Sequence, residues 1–65
     1  MNWDQIEGSW KEVKGKAKES WGDMTDDELD QIGGRKDQLV GQLQRKYGMS
    51  KEEADRKADE WARSL

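Results

Sequence analysis

Apolar residues recur along this chain at steps of three and four, the spacing of one face of an α-helix. Trp3, Ile6, Trp10, Val13, Ala17 and Trp21 form the first stripe. A short second stripe holds Leu29 and Ile32, and a third holds Leu39, Val40, Leu43 and Tyr47. The fourth runs through Ala54, Ala58, Trp61, Ala62 and Leu65. No strand-like alternation extends beyond three residues.

Start and stop signals bracket these stripes. Thr25 with Glu28, and Ser50 with Glu53, have the spacing of capping boxes, in which the hydroxyl accepts from an early backbone N–H and the glutamate reaches back to the cap. Asn2 can cap the first helix, with Asp4 in its first turn. Gly22 and Gly48 sit where a helix end favours a left-handed residue, and Gly33-Gly34 breaks the chain between two halves. The pattern predicts an all-α fold with helices over 3–21, 26–32, 35–47 and 51–63, each burying one side in a common core.

Glycines at 8, 15 and 22 repeat at heptad spacing, and those at 34, 41 and 48 repeat in the same way. After each set comes a matching cap, so Met24, Thr25, Glu28 and Asp30 fall on Met49, Ser50, Glu53 and Asp55 once one residue is dropped. Trp21 falls on Tyr47, Val13 on Leu39 and Ala17 on Leu43. The expectation is one domain over 1–65, made of two duplicated helical hairpins, units 3–32 and 35–63. The short second helix and the abrupt link favour crossed packing of the hairpins.

Composition sharpens this picture mainly by exclusion. The 65 residues include 15 acids and 12 bases, a net charge of -3, with 42% charged and 31% hydrophobic residues. High charge with low hydrophobicity is a disorder signature, but the periodic placement of four Trp argues for a folded chain of marginal stability. Cysteine and histidine are absent, which removes disulfides, thiol chemistry, cysteine-rich zinc sites and the usual general base. No stretch of 18 apolar residues exists, so no membrane span and no membrane partner is expected. The opening Asn2, Trp3 and Asp4 lack a basic-then-apolar export signal, so no secretion is implied. No acid falls on an apolar stripe, so no carboxylate is marked for acid–base work; no enzyme, catalytic residue or cofactor is expected. The run Asp23, Asp26, Asp27, Glu28, Asp30 lacks the alternating ligands and mid-loop glycine of a calcium loop. It reads as helix N-terminal acid complementing the macrodipole, so no metal is expected either.

Two surface features remain. At 100° per residue, Lys11 and Lys18 share a face with Gly8, Gly15 and Gly22, away from the tryptophans. Glycines inside a helix cost roughly 1 kcal/mol each relative to alanine. A smooth backbone flanked by lysines could receive an anionic partner or another helix; the blander alternative is a solvated face with pairs such as Glu7–Lys11 and Glu12–Lys16. The second feature is Gly33-Gly34-Arg35-Lys36, a glycine turn between helices that could offer backbone N–H groups to a phosphate. Gln31 stands where helix-hairpin-helix modules prefer glycine, and the pI near 4.9 lacks the basic footprint of a nucleic-acid binder. Trp10, Trp21, Trp61 and Tyr47 have helical spacing and aliphatic neighbours, which points to core packing over base stacking.

The run Gly8-Ser9-Trp10-Lys11-Glu12-Val13-Lys14-Gly15-Lys16-Ala17-Lys18-Glu19-Ser20-Trp21-Gly22, with Thr25-Asp26-Asp27-Glu28, Arg35-Lys36-Asp37-Gln38-Leu39-Val40-Gly41 and Tyr47-Gly48, resembles the CsbD-like family of small bacterial general stress proteins. The likeness runs from Met1 to about Trp61; relatives often carry a non-glycine residue at Gly33. The resemblance implies a cytoplasmic, stress-induced protein with a compact, SAM-like helical fold of crossed hairpins. It brings no catalytic or binding residues with it.

Three functions follow as expectations. The first is a non-enzymatic, monomeric interaction module that meets an unknown protein or anionic partner through the glycine–lysine face. The second is a hydrophilin-like protectant without a defined site, in keeping with seven glycines and a mean hydropathy of -1.37. The third is a weak nucleic-acid binder working through the Gly33-Gly34 turn.

Overall fold

A computed structural model describes residues 1–65 and is entirely helical, with five helices and no strand. They are α1 (Trp3–Gly8), α2 (Trp10–Ser20), α3 (Asp26–Ile32), α4 (Lys36–Tyr47) and α5 (Lys51–Ser64). The first predicted helix is therefore two, and four helices become five. The break lies at Ser9, whose φ of -113° and ψ of 20° leave the α region and whose hydroxyl makes no cap bond. Its carbonyl still accepts from the N–H groups of Glu12 and Val13 at 2.9 Å, so the apolar stripe runs through the break.

The caps follow the side-chain chemistry with two differences. Asn2 makes a full capping box with Gln5, and Thr25 makes one with Glu28. Ser50 accepts from the Glu53 N–H at 3.1 Å, but Glu53 does not reach back, so the predicted second box is half made. Gly48 ends α4 in the left-handed region at φ +67°, as expected. Gly22 does not adopt that region; α2 ends at Trp21, and Gly33 (φ +58°) and Gly34 (φ +85°) are the other left-handed glycines.

The core collects Ile6, Val13, Ala17, Leu29, Ile32, Leu39, Val40, Leu43, Ala54, Ala58 and Ala62 from all five helices. Met24, in the turn before α3, is fully buried and completes it, although no helical stripe contains it. Gln42 is buried among these apolar groups and meets Gln31 at 3.4 Å. Trp61 lies at the centre of an aromatic cluster. Its ring centroid is 5.3 Å from Trp21, 6.1 Å from Trp3 and 6.3 Å from Trp10, in tilted or edge-on geometries that suit the ring quadrupoles. Trp3 and Trp10 are half-buried, and their indole N–H groups donate to Asp59 (3.4 Å) and the Leu29 carbonyl (2.9 Å). A Cα radius of gyration of 10.5 Å agrees with about 11 Å for a compact chain of this length.

Gly34 is where α1 meets the link between α3 and α4. A Cβ there would lie 2.6 Å from the Cα of Glu7, on top of a positive φ. Gly15 is the opposite case, since a Cβ on it would meet nothing within 4 Å. Gly34→Ala is therefore expected to destabilise the protein by about 1–3 kcal/mol through strain and displaced backbone. Gly15→Ala is expected to stabilise it by about 0.5–1 kcal/mol through helix propensity. Urea midpoints that move in opposite directions would support this assignment; a neutral Gly34→Ala would contradict the close approach.

Candidate functional site

The glycine–lysine face is only partly continuous. Lys11, Gly15 and Lys18 share α2, while Gly8 ends α1 on the far side of the Ser9 break and Gly22 lies in the turn after α2. Gly8 and Gly15 are exposed, and a Cβ on either would meet nothing. Lys11 is exposed and is absent from every ion pair in the molecule. Lys18 turns to the end of its own helix, where its ammonium donates to the carbonyls of Met24 (2.6 Å) and Gly22 (3.3 Å). It thereby satisfies oxygens that the helix terminus and turn leave open, and its charge suits the negative end of the helix dipole. What α2 presents outward is thus an open glycine, two unpaired lysines (Lys11 and Lys16) and Lys18 anchored at its base.

The second candidate, Gly33-Gly34-Arg35-Lys36, has two of its four backbone N–H groups and both of its side-chain cations engaged within the chain. The Gly33 N–H donates to Leu29 and the Arg35 N–H to Ile32. Gly34 is buried beneath α1. The Arg35 side chain meets Glu7 at 3.2 Å, and Lys36 meets Asp59 at 3.0 Å. The acidic run is distributed in the same way: Glu28 pairs with Lys46 at 2.8 Å and Asp30 with Lys14 at 2.7 Å, and nowhere do three carboxylates gather as metal ligands.

These long-range pairs could not be read from sequence, and they set the electrostatics. The Lys46 ammonium, then the Thr25 backbone N–H, hold the Glu28 carboxyl below its usual range. Lys36, against some desolvation and with help from the Trp3 indole, does the same for Asp59. The hydrogen bond to Asp30 raises Lys14 above its ordinary value. Two open grooves complete the surface. One of 380 Å³ runs between α4 and α5 over Gly41, and one of 190 Å³ lies beside Trp61 between the ends of α2 and α5. In the second, the Ser64 hydroxyl donates to the Trp61 carbonyl at 2.7 Å.

A small, highly charged, all-helical protein is the class that this geometry defines. A protein-family model described as CsbD-like matches residues 4–56, most of the chain, which therefore belongs to the CsbD-like family. Trp3 and Trp61 lie outside the matched stretch. No curated protein matches the chain. No solved structure matches it. Membership makes this a small bacterial stress-response protein, of a kind that is generally not enzymatic. No helix is long and apolar enough to cross a membrane.

The pairs give a signed pH dependence. Glu28 and Asp59 have lowered folded-state values, so their stabilisation is present above the unfolded carboxylate range and is lost as pH falls through the folded values. Lys14 has a raised value, so its contribution is present below about 10.4 and is lost as pH rises through the folded value. The urea midpoint is expected to hold from pH 6 to 9, to fall below about pH 4 and to fall again above about pH 10.5. Glu28→Gln should flatten the acid limb; an unchanged limb would remove the Lys46 pair from the account.

Proposed function

We propose that the protein works as a non-enzymatic interaction module whose contact surface is the outer face of α2, centred on Lys11 and Gly15 and flanked by Lys18, and whose partner there is anionic. The observation that carries this reading is the pairing pattern of α2 itself. Lys14 is tied to Asp30 and Lys18 to backbone carbonyls; Lys11 and Lys16 are unpaired, and of these Lys11 shares the face of Gly15, a glycine that no neighbour requires, while Lys16 lines the groove beside Trp61. An exposed glycine costs helix stability, and a backbone without a side chain permits close approach by a partner. The cation beside it supplies the sign of that partner.

The experiment is an amide NMR titration with two defined polyanions, a poly-glutamate peptide and a polyphosphate, at low and physiological salt. Localised, salt-sensitive shifts at Lys11, Gly15 and Lys18 are expected. Lys11→Glu should weaken them about tenfold, because reversing one charge at an exposed contact is worth about 1 kcal/mol or more. Lys57→Glu, on α5, serves as the control and should leave them in place. Shifts spread evenly over all lysines, or equally sensitive to Lys57→Glu, would reject the face.

A further inference from the structure

The five helices are not equally bound to one another. The closest packing is between α4 and α5, followed by α3 with α4. The turns that join these three helices are short, over residues 33–35 and 48–50, and Gly33 and Gly48 take the left-handed conformation there. The α1–α2 segment is held differently. It lies on the others through the rings of Trp3, Trp10 and Trp21 against Trp61, through Ile6, Val13 and Ala17, and through exposed ion pairs such as Lys14–Asp30 and Arg35–Glu7. Exposed pairs of this kind contribute little.

The segment also contains features that weaken it without serving the closed fold. Gly8 and Gly15 have open space where a Cβ would stand, and the junction at Ser9 has no side-chain cap. α1 and α3 both begin in full capping boxes and α5 contains no glycine, whereas α4, like α2, begins without a side-chain cap and carries one glycine, Gly41.

We infer that α1–α2 is a strap that detaches from α3–α5 as one unit, with Trp61 as its catch and the exposed Gly22–Asp23 turn as its hinge. Opening lifts α1 off Gly34, separates Trp61 from the other three tryptophans, and uncovers the apolar side of α3–α5 while those helices stay folded. The strap sits at the low-stability end of the molecule, as segments that move generally do. The inference is independent of the anionic partner, because the Lys11–Gly15 face points outward while the strap is closed.

The test is native-state hydrogen exchange of the whole chain at several low urea concentrations. Strap amides such as Val13 and Ala17 should exchange faster than Leu43 and Ala58, and with a weaker dependence on urea, because partial opening exposes less surface. Arg56→Gly weakens exposed α5 without touching the strap. It should lower the protection of Leu43 and Ala58 about fivefold, the equivalent of about 1 kcal/mol, and leave Val13 and Ala17 unchanged. If Arg56→Gly fails to fold, the urea dependence of the unaltered protein decides alone. One common urea slope, or an equal loss at all four amides, means that the chain opens only as a whole, and the strap is then rejected.

Discussion

Everything in this fold converges on the indole of Trp61. It is the one side chain that touches all three other tryptophans, and those three come from the first 21 residues. In a chain this small, aliphatic burial is scarce: six side chains of Met, Leu or Ile are fully buried, and several remaining core positions are alanines. Large aromatic rings bury the most area per residue, so joining the N-terminal helices to α5 through four of them is an economical use of a short sequence. The rims are also fixed in direction. Trp3 reaches Asp59, Trp10 reaches the carbonyl of Leu29, and Asp59 in turn holds Lys36. One aromatic cluster thereby ties α1, α2, α3, α4 and α5 into a single register.

The glycines separate into two kinds with opposite consequences. Gly33, Gly34 and Gly48 take backbone conformations that an L-residue resists, and Gly34 also admits the backbone of α1. They are conditions of the fold. Gly8 and Gly15 are conditions of nothing inside the molecule. Gly41 is intermediate, since a Cβ there would come within 3.2 Å of the flexible Arg45 guanidinium. The heptad spacing that makes these residues look equivalent in the sequence therefore mixes structural necessity with freely exposed backbone.

The helices were legible because their information is local. Caps and one-sided stripes placed α3, α4 and α5 to within a residue or two. The break at Ser9 was not legible, because its carbonyl goes on accepting helical hydrogen bonds and keeps the apolar stripe in phase across it. Met24 was missed because it belongs to a turn, where periodicity carries no signal, and Gln42 because a polar residue beside a stripe looks solvated until its partner Gln31 is in view. On the surface, the spacing located Lys11, Gly15 and Lys18 on one helical face, but it could not foresee that Lys18 bends back onto Met24. Pairs such as Lys46–Glu28 join residues far apart in the chain, and only tertiary structure brings them together.

Charge in this protein consequently has two roles that composition alone merges. A net charge of -3 with 27 ionised side chains suggests a uniformly solvated surface. Three of the six ion pairs instead connect different helices and a fourth joins α1 to the link before α4, and the acidic run from Asp23 to Asp30 supplies two of their carboxylates. Those charges act within the molecule, as weak ties between elements. A cation used in this way has a reduced field to offer an outside partner, because its counter-charge sits beside it. Lysines without such a counter-charge are therefore where an external anion meets the strongest local attraction, and among them Lys11 shares an exposed helix face with the open Gly15, while Lys16 lines the groove beside Trp61. The same sparing use of internal ties keeps the α1–α2 segment less firmly bound than the helices it covers, so the surface chemistry and the uneven packing have a common origin in how few contacts a chain of this length can make.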